Sequence, residues 1–189
     1  NLFPCHSAPS DGVQLALELT GIPNNTRAIY PRTIEADAPS YMLAWAVGDY
    51  ESADLGTTTA GTHVAVHWLP QGKTAALAGT KHLKDAFDWY EQHLGPYAFG
   101  PEVASVAVVW GAGAYGGMEH HPFWHVATDA MSDEETHAHE AAHGWFGDAV
   151  RLRCGIEPPG PTTIVQRSVS ITMGLAPSVS AASTSRAVE

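Results

Sequence analysis

The stretch HEAAHGWFGD, residues 139–148, carries most of what this 189-residue sequence says about its fold. On a helix, His139 and His143 lie one turn apart on the same face, the spacing at which two imidazole nitrogens bind one tetrahedral Zn²⁺ ion. Glu140 then lies beside the ion, where a carboxylate can take the proton of a zinc-bound water. The sequence therefore predicts Zn²⁺ as a cofactor, His139 and His143 as its ligands and Glu140 as a general base. The alternative is a histidine-rich, solvated helix face.

The surrounding pattern predicts an α+β protein. The helix that carries these residues is expected to begin at Ser132, because residues 132–135 have the form of a capping box, and to extend to about Val150. Elsewhere, alternating or continuous apolar runs predict strands, and apolar residues at helical spacing predict one more helix. The strands are Val13–Leu19, Tyr41–Val47, Val64–Trp68 and Val103–Trp110, and the helix spans Lys81–Leu94. The first seventy residues are therefore expected to be mostly β.

Composition excludes several classes of partner. Nine Lys and Arg against twenty Asp and Glu give a formal net charge of -11, so no basic field attracts nucleic acid or anionic lipid. No apolar run approaches the roughly 20 residues that span a bilayer. We therefore expect no nucleic-acid or membrane partner and a soluble chain, with the cytoplasm favoured. Two cysteines, Cys5 and Cys154, are too few for a dense disulfide framework and leave the redox compartment open.

A resemblance extends the zinc pattern. Residues 139–148 are similar to the active-site helix of the M1 aminopeptidases, zinc peptidases of the gluzincin group, in which the second histidine is followed by an aromatic pair, Gly and Asn or Asp. The resemblance implies a zinc-dependent metallopeptidase. It would hydrolyse the N-terminal peptide bond of its substrate by means of zinc-activated water.

A second similarity lies about twenty residues upstream. Residues 116–120, Gly-Gly-Met-Glu-His, look like the G-x-M-E-N exopeptidase motif of the same family, with His120 in place of asparagine. The resemblance implies that Gly116, Gly117, Met118 and Glu119 flank the substrate, and that Glu119 binds the free α-amino group of a peptide. A carboxylate suits this role, since it accepts a charge-assisted hydrogen bond from an ammonium. The alternative is a glycine-rich hairpin turn with an exposed glutamate.

A weaker similarity covers the front of the chain. Phe3-Pro4-Cys5, Pro9-Ser10-Asp11 and residues 39–48 look like the later strands of the family's N-terminal β domain and the segment that leads into its catalytic domain. It implies a partial N-terminal β domain at 1–60 and the first part of a thermolysin-like (zincin) catalytic domain at 61–153. A divergent, poorly ordered tail is expected at 154–189. The chain would then be a fragment with impaired activity.

The sequence lacks the family's third zinc ligand at the expected position. The family supplies a glutamate separated from the second histidine by eighteen residues, and here that position is Thr162. Glu157 is a weak substitute, because the prolines that follow it forbid the required helix. The family's downstream tyrosine has no counterpart either, since no tyrosine follows Tyr115. A shifted reading frame near Cys154 would explain such a tail.

Two other functions therefore stay open. One is a non-catalytic remnant that acts as a zinc-binding or interaction module, and the other is a structural β module whose histidines bind nothing.

The remaining aromatic residues have less specific expectations. His120, His121 and His125 are expected on a polar strand or loop that faces solvent, with the lining of a cleft or adventitious metal binding as the alternative. His137 is expected at the surface. Trp145 and Phe146 are expected to anchor the helix in the core.

Overall fold

The computed structural model of the chain describes residues 12–110, 115–149 and 168–174. Both helices and strands are present, as predicted, and strands dominate up to residue 70. The strands are β1 (Val13–Thr20), β2 (Arg27–Ile29), β3 (Thr33–Ala38), β4 (Ala46–Gly48), β5 (Glu51–Thr57), β6 (His63–Trp68), β7 (Glu102–Val108), β8 (Gly117–Met118), β9 (Phe123–Ala127) and β10 (Ser168–Gly174). The helices are α1 (Lys73–Gly79), α2 (Leu83–Leu94) and α3 (Glu134–Ala142), with a 3₁₀ helix at Ser40–Met42. Within these ranges, each helix is too short or too polar to cross a membrane.

A five-stranded sheet forms the centre of the molecule, in the order β5-β6-β7-β9-β8. Strands β6, β7 and β9 are parallel, and β5 and β8 run antiparallel at the two edges. The helices cover one face, where Phe87, Trp124 and Trp145 pack in one buried cluster. Parallel strands need cover on both faces. The N-terminal segment supplies it on the other face, where Ile29 and Tyr50 pack with strand β7.

A second, smaller sheet holds the front of the chain, in the order β10-β1-β3. Strand β1 buries Leu15, Leu17 and Leu19 at alternate positions, as its sequence predicts. Strand β10 pairs with β1 in parallel and lies within the stretch expected to be a poorly ordered tail. The other residues of 154–189 lie outside the described ranges. The boundary expected near residue 60 falls in the turn between β5 and β6, which pair with each other.

The strand predicted at Tyr41–Val47 is wrong. The chain forms the 3₁₀ helix at Ser40–Met42 instead, and only Ala46–Gly48 pairs, with β2. The cause is that the consecutive residues Met42 and Leu43 are both buried. A strand places consecutive side chains on opposite faces, so it could not bury both against one cluster.

Helix α3 is shorter than predicted. Its N-cap is Asp133 and not Ser132, because the Asp133 carboxylate accepts hydrogen bonds from the backbone N–H groups of Glu135 and Thr136. The helix ends at Ala142 and not near Val150. Gly147, at φ 110°, turns the chain in a conformation that favours glycine.

Replacing Gly79 tests how α1 packs on the segment that precedes α3. A Cβ at this position would lie 2.8 Å from His137 Nε2 and would overlap the carbonyl oxygen of Met131. We expect Gly79→Ala to lower the free energy of unfolding by about 1–3 kcal/mol, although alanine is the better helix former. Urea denaturation measures it. Ala78→Ser, on the exposed side of the same helix, should change stability by less than about 0.5 kcal/mol. An equal loss in both variants would contradict the close packing.

Candidate metal centre

The two histidines of the HEAAH stretch converge as the sequence predicts. The Nε2 atoms of His139 and His143 lie 3.2 Å apart. Two nitrogens that bind one tetrahedral zinc ion at 2.0–2.1 Å are separated by about 3.3 Å. His143 Nδ1–H donates to the backbone oxygen of Phe146 at 2.9 Å, which leaves the lone pair on Nε2. The spacing and the tautomer of His143 both suit a metal ligand.

Two carboxylates lie close to His143. Within the described ranges, the side chains of Glu119, Glu140 and His143 place one ligand atom each within 4.8 Å of one another. Zinc accepts imidazole nitrogens and carboxylate oxygens, so these donors fit that metal. Thr162 and Glu157, the positions considered for a third ligand, lie outside the described residues.

The predicted site residues share one cavity of about 670 Å³. Its walls come from the β8 segment and from α3, and include Gly116, Gly117, Met118, Glu119, His139, Glu140 and His143. Position 117 requires glycine, because β8 lies so close to α3 that a Cβ there would overlap the side chain of Glu140. The strand edge and the helix therefore meet with no room for a larger residue at that point.

Burial and neighbouring negative charges determine the protonation state of the carboxyl groups around the cavity. Glu140 is 5% exposed, and burial, with the nearby charges of Glu119 and Asp148, raises its pKa to about 7. Burial also raises the pKa of Asp148 to about 7, with the charge of Glu119 acting in the same direction. Several carboxylates thus lie close together in a partly dehydrated site. A cation between them would relieve their repulsion.

Tyr41 joins the N-terminal segment to this site, a contact that no sequence pattern indicates. Its hydroxyl donates to Asp148 Oδ1 at 2.6 Å, although the two residues are 107 positions apart. Asp148 is fully buried, and its Oδ2 has no hydrogen-bond partner among the described residues. Burial and the hydrogen bond with Asp148 raise the pKa of Tyr41. The hydroxyl therefore stays protonated and remains a donor.

Two histidines expected at the surface are fully buried, so those predictions are wrong. His121 Nε2–H donates to the backbone oxygen of Glu140 at 2.8 Å, and its Nδ1 accepts from Tyr97. His137 Nε2–H donates to the backbone oxygen of Met131, and its Nδ1 accepts from Ser105. Each ring fills a gap between α3 and the sheet, where its two nitrogens find one acceptor and one donor.

His120 and His125 also leave the expected solvent-facing positions. His125 is 7% exposed and His120 is half-buried, with their Nδ1 atoms 3.2 Å apart. Burial lowers the pKa of His120 to about 4 and that of His125 to about 3, so both rings are neutral at pH 7.

Trp145 is buried in the core as predicted. Phe146 is 58% exposed and does not anchor the helix.

The comparison with solved structures finds M1 zinc metallopeptidases. A mutant of the M1 zinc metallopeptidase from Deinococcus radiodurans is similar with a TM-score of 0.55 and 19% identity, covering 69% of this chain and 34% of that one. A mutant of a two-domain M1 zinc metallopeptidase bound to L-arginine gives 0.54 and 20%, covering 69% and 33%. At these identities the likeness shows a shared fold. The chain spans about a third of the length of these structures. No protein-family model and no curated protein matches the sequence.

The raised pKa of Asp148 predicts a pH-dependent stability. Its pKa is about 7 in the folded chain and 3.8 for an aspartate in an unfolded chain. Between pH 3.8 and pH 7 the folded state therefore binds more protons than the unfolded state. Stability from this group is therefore present at low pH and is lost as the pH rises towards 7. We expect Asp148→Asn to gain roughly 1–3 kcal/mol over the wild type between pH 5 and pH 8, since asparagine carries no charge to bury.

Chemical denaturation at the two pH values measures this difference. Asp129→Asn, at an exposed position, should show no such gain. A pH-independent difference for Asp148→Asn would show that the carboxyl is charged in the folded protein.

Proposed function

We propose that this chain carries the active site of a zinc aminopeptidase. Residues 61–153 would form the first part of a thermolysin-like, gluzincin-type catalytic domain, preceded by a partial N-terminal β domain at 1–60. The observation that carries the proposal is the 3.2 Å separation of His139 Nε2 and His143 Nε2 in a cavity that Glu119 and Glu140 also line. The structural similarity to M1 zinc metallopeptidases supports it.

His139 and His143 would hold the metal, and Glu140 would move the proton. Zinc in this position would supply Lewis-acid polarisation of the scissile carbonyl group. Glu140, with a pKa of about 7, can take a proton from the attacking water and give it to the leaving amine. Its backbone is fixed by the hydrogen bond from His121, so the carboxylate is held at one wall of the cavity.

Glu119 would bind the free amino terminus of the peptide. The carboxylates of Asp133 and Glu135 line the cavity together with those of Glu119 and Glu140, and its described lining includes neither lysine nor arginine. Such a field favours a substrate ammonium group and orients it by a charge-assisted hydrogen bond. The L-arginine bound in one structural neighbour is a ligand that carries an amino group of this kind.

We further propose that the activity of this chain is impaired. The glutamate that would complete the zinc site falls on Thr162, whose hydroxyl is neutral. A zinc site with fewer anionic ligands binds its metal less tightly.

Glu140→Gln tests the general base. We expect the variant to bind as much zinc as the wild type and to lose aminopeptidase turnover by roughly 10²- to 10⁴-fold, because the amide keeps the shape but accepts no proton. Metal analysis and hydrolysis of an aminoacyl reporter measure the two properties. Glu134→Gln, on the same helix but paired with His82, should change neither. A wild type that binds zinc and turns over no faster than Glu140→Gln would contradict the enzyme and identify a zinc-binding module.

Glu119→Ala tests the exopeptidase role. We expect kcat/KM to fall about 10- to 100-fold for peptides with a free amino terminus, since a hydrogen bond between charged groups contributes roughly 1.5–3 kcal/mol. Peptides with an acetylated amino terminus offer no ammonium, so their residual cleavage should not fall. Glu119→Gln, which keeps the size of the side chain but not its charge, should resemble the alanine variant. Equal losses on free and acetylated peptides would exclude the anchoring role.

A further inference from the structure

A second group of metal-binding side chains lies on the other face of the β8–β9 hairpin. Trp124 and Val126 belong to the buried cluster under the helices, so His125 between them faces the opposite side of the sheet. A Cβ on Gly117 would overlap the Glu140 side chain, which places the next residue, Met118, away from α3. The side chains of Met118 and His125 therefore lie on the face of the sheet opposite to α3, and Met118 also contributes to the wall of the cavity that His139 and His143 line.

The register places Met118 and His125 side by side on that face, and His120 reaches His125 from the turn that follows β8. Met118 pairs directly with His125 across the antiparallel strands, and side chains that pair in this way lie on the same face. His120 follows two residues after Met118, and its Nδ1 lies 3.2 Å from Nδ1 of His125. The two ring planes are inclined at 81°, so the rings meet edge to face and their Nδ1 atoms approach each other.

The distance between the nitrogens has two physical explanations. Two neutral rings can form one N–H···N hydrogen bond, which needs no metal. Two lone pairs can instead point at one cation, since tetrahedral ligands at about 2.0 Å lie about 3.3 Å apart. The position of Met118 favours the second explanation, because a thioether adds little to a hydrogen bond but is a good ligand for a soft metal.

We propose that Met118, His120 and His125 form a second metal site, which binds copper(I). Two imidazoles and a thioether are soft, uncharged donors that suit Cu⁺ better than Zn²⁺, Mg²⁺ or Ca²⁺. The site also gives a role to His120, the residue that departs from the asparagine of the exopeptidase motif. Met118 and His120 flank Glu119, so a bound ion fixes the segment that presents Glu119 to the cavity. The inference does not depend on peptidase activity.

Copper titration of the 189-residue chain tests the proposal. His139→Ala and His143→Ala are combined first, so that the helix pair does not compete for the metal. Anaerobic titration with Cu⁺ against a chromophoric copper(I) chelator should then show one ion per chain. His120→Asn, His125→Gln and Met118→Leu should each weaken binding about tenfold or more. His82→Asn replaces an exposed histidine that contacts Glu134 and not the proposed ligands, so it is the matched control and should leave binding unchanged.

X-ray absorption identifies the ligands directly. The copper-loaded protein should show one sulfur and two nitrogen neighbours, and the sulfur signal should disappear in Met118→Leu. Since His125 is buried, the copper affinity of His125→Gln is compared with that of the parent only if the two circular dichroism spectra agree. His120→Asn, at a half-buried position, decides the matter if they do not.

Three results would overturn the proposal. The first is that less than one Cu⁺ binds per chain. The second is unchanged copper binding in His120→Asn. The third is unchanged copper binding in Met118→Leu, together with no sulfur signal in the parent protein. The first would leave the two histidines as a simple hydrogen-bonded pair. Loss of zinc or of peptidase activity in the Glu140 variant has no bearing on any of them.

Discussion

The attachment of α3 to the sheet through two buried histidines governs the geometry of the site. His121 connects Tyr97 with the backbone of Glu140, and His137 connects Ser105 with the backbone of Met131. Burial lowers the pKa of both rings, to about 3 for His121, so each stays neutral with one donor and one acceptor nitrogen. A charged ring would leave its second N–H without an acceptor in the core. Neutral histidines in fixed tautomers thus hold the helix that presents His139 and Glu140.

The local parts of this arrangement could be predicted from the sequence, because local patterns encode them. The strand β1 follows from the alternation of Leu15, Leu17 and Leu19, and the convergence of His139 and His143 follows from helical spacing. The buried roles of His121 and His137 could not be predicted in this way. Their partners lie 24 and 32 residues away, and a sequence pattern does not show which distant side chain meets a ring. The contact of Tyr41 with Asp148 could not be predicted for the same reason, because the two residues are 107 positions apart.

The acidic residues of the site and the tyrosine that contacts one of them come from two different parts of the chain. Glu119 comes from the edge of the sheet, Glu140 from α3 and Asp148 from the turn after it, while Tyr41 comes from the segment before β4. Each acidic group raises the cost of charging the next. The hydroxyl of Tyr41 partly offsets this cost for Asp148, since hydrogen bonding favours the charged carboxylate. The N-terminal segment therefore contributes to the electrostatics of the cavity as well as to the core.

The pairing of β10 with β1 constrains the order of folding. The paired residues are separated by more than 150 positions, whereas the five strands of the central sheet all lie between residues 51 and 127. Closing a long loop costs more chain entropy than closing a short one, and contacts between distant residues form late. During synthesis, all five strands of the central sheet are therefore made before residue 168. Strand β1 therefore has one unpaired edge until residues 168–174 have been made, and an unpaired strand edge can pair with the edge of another chain.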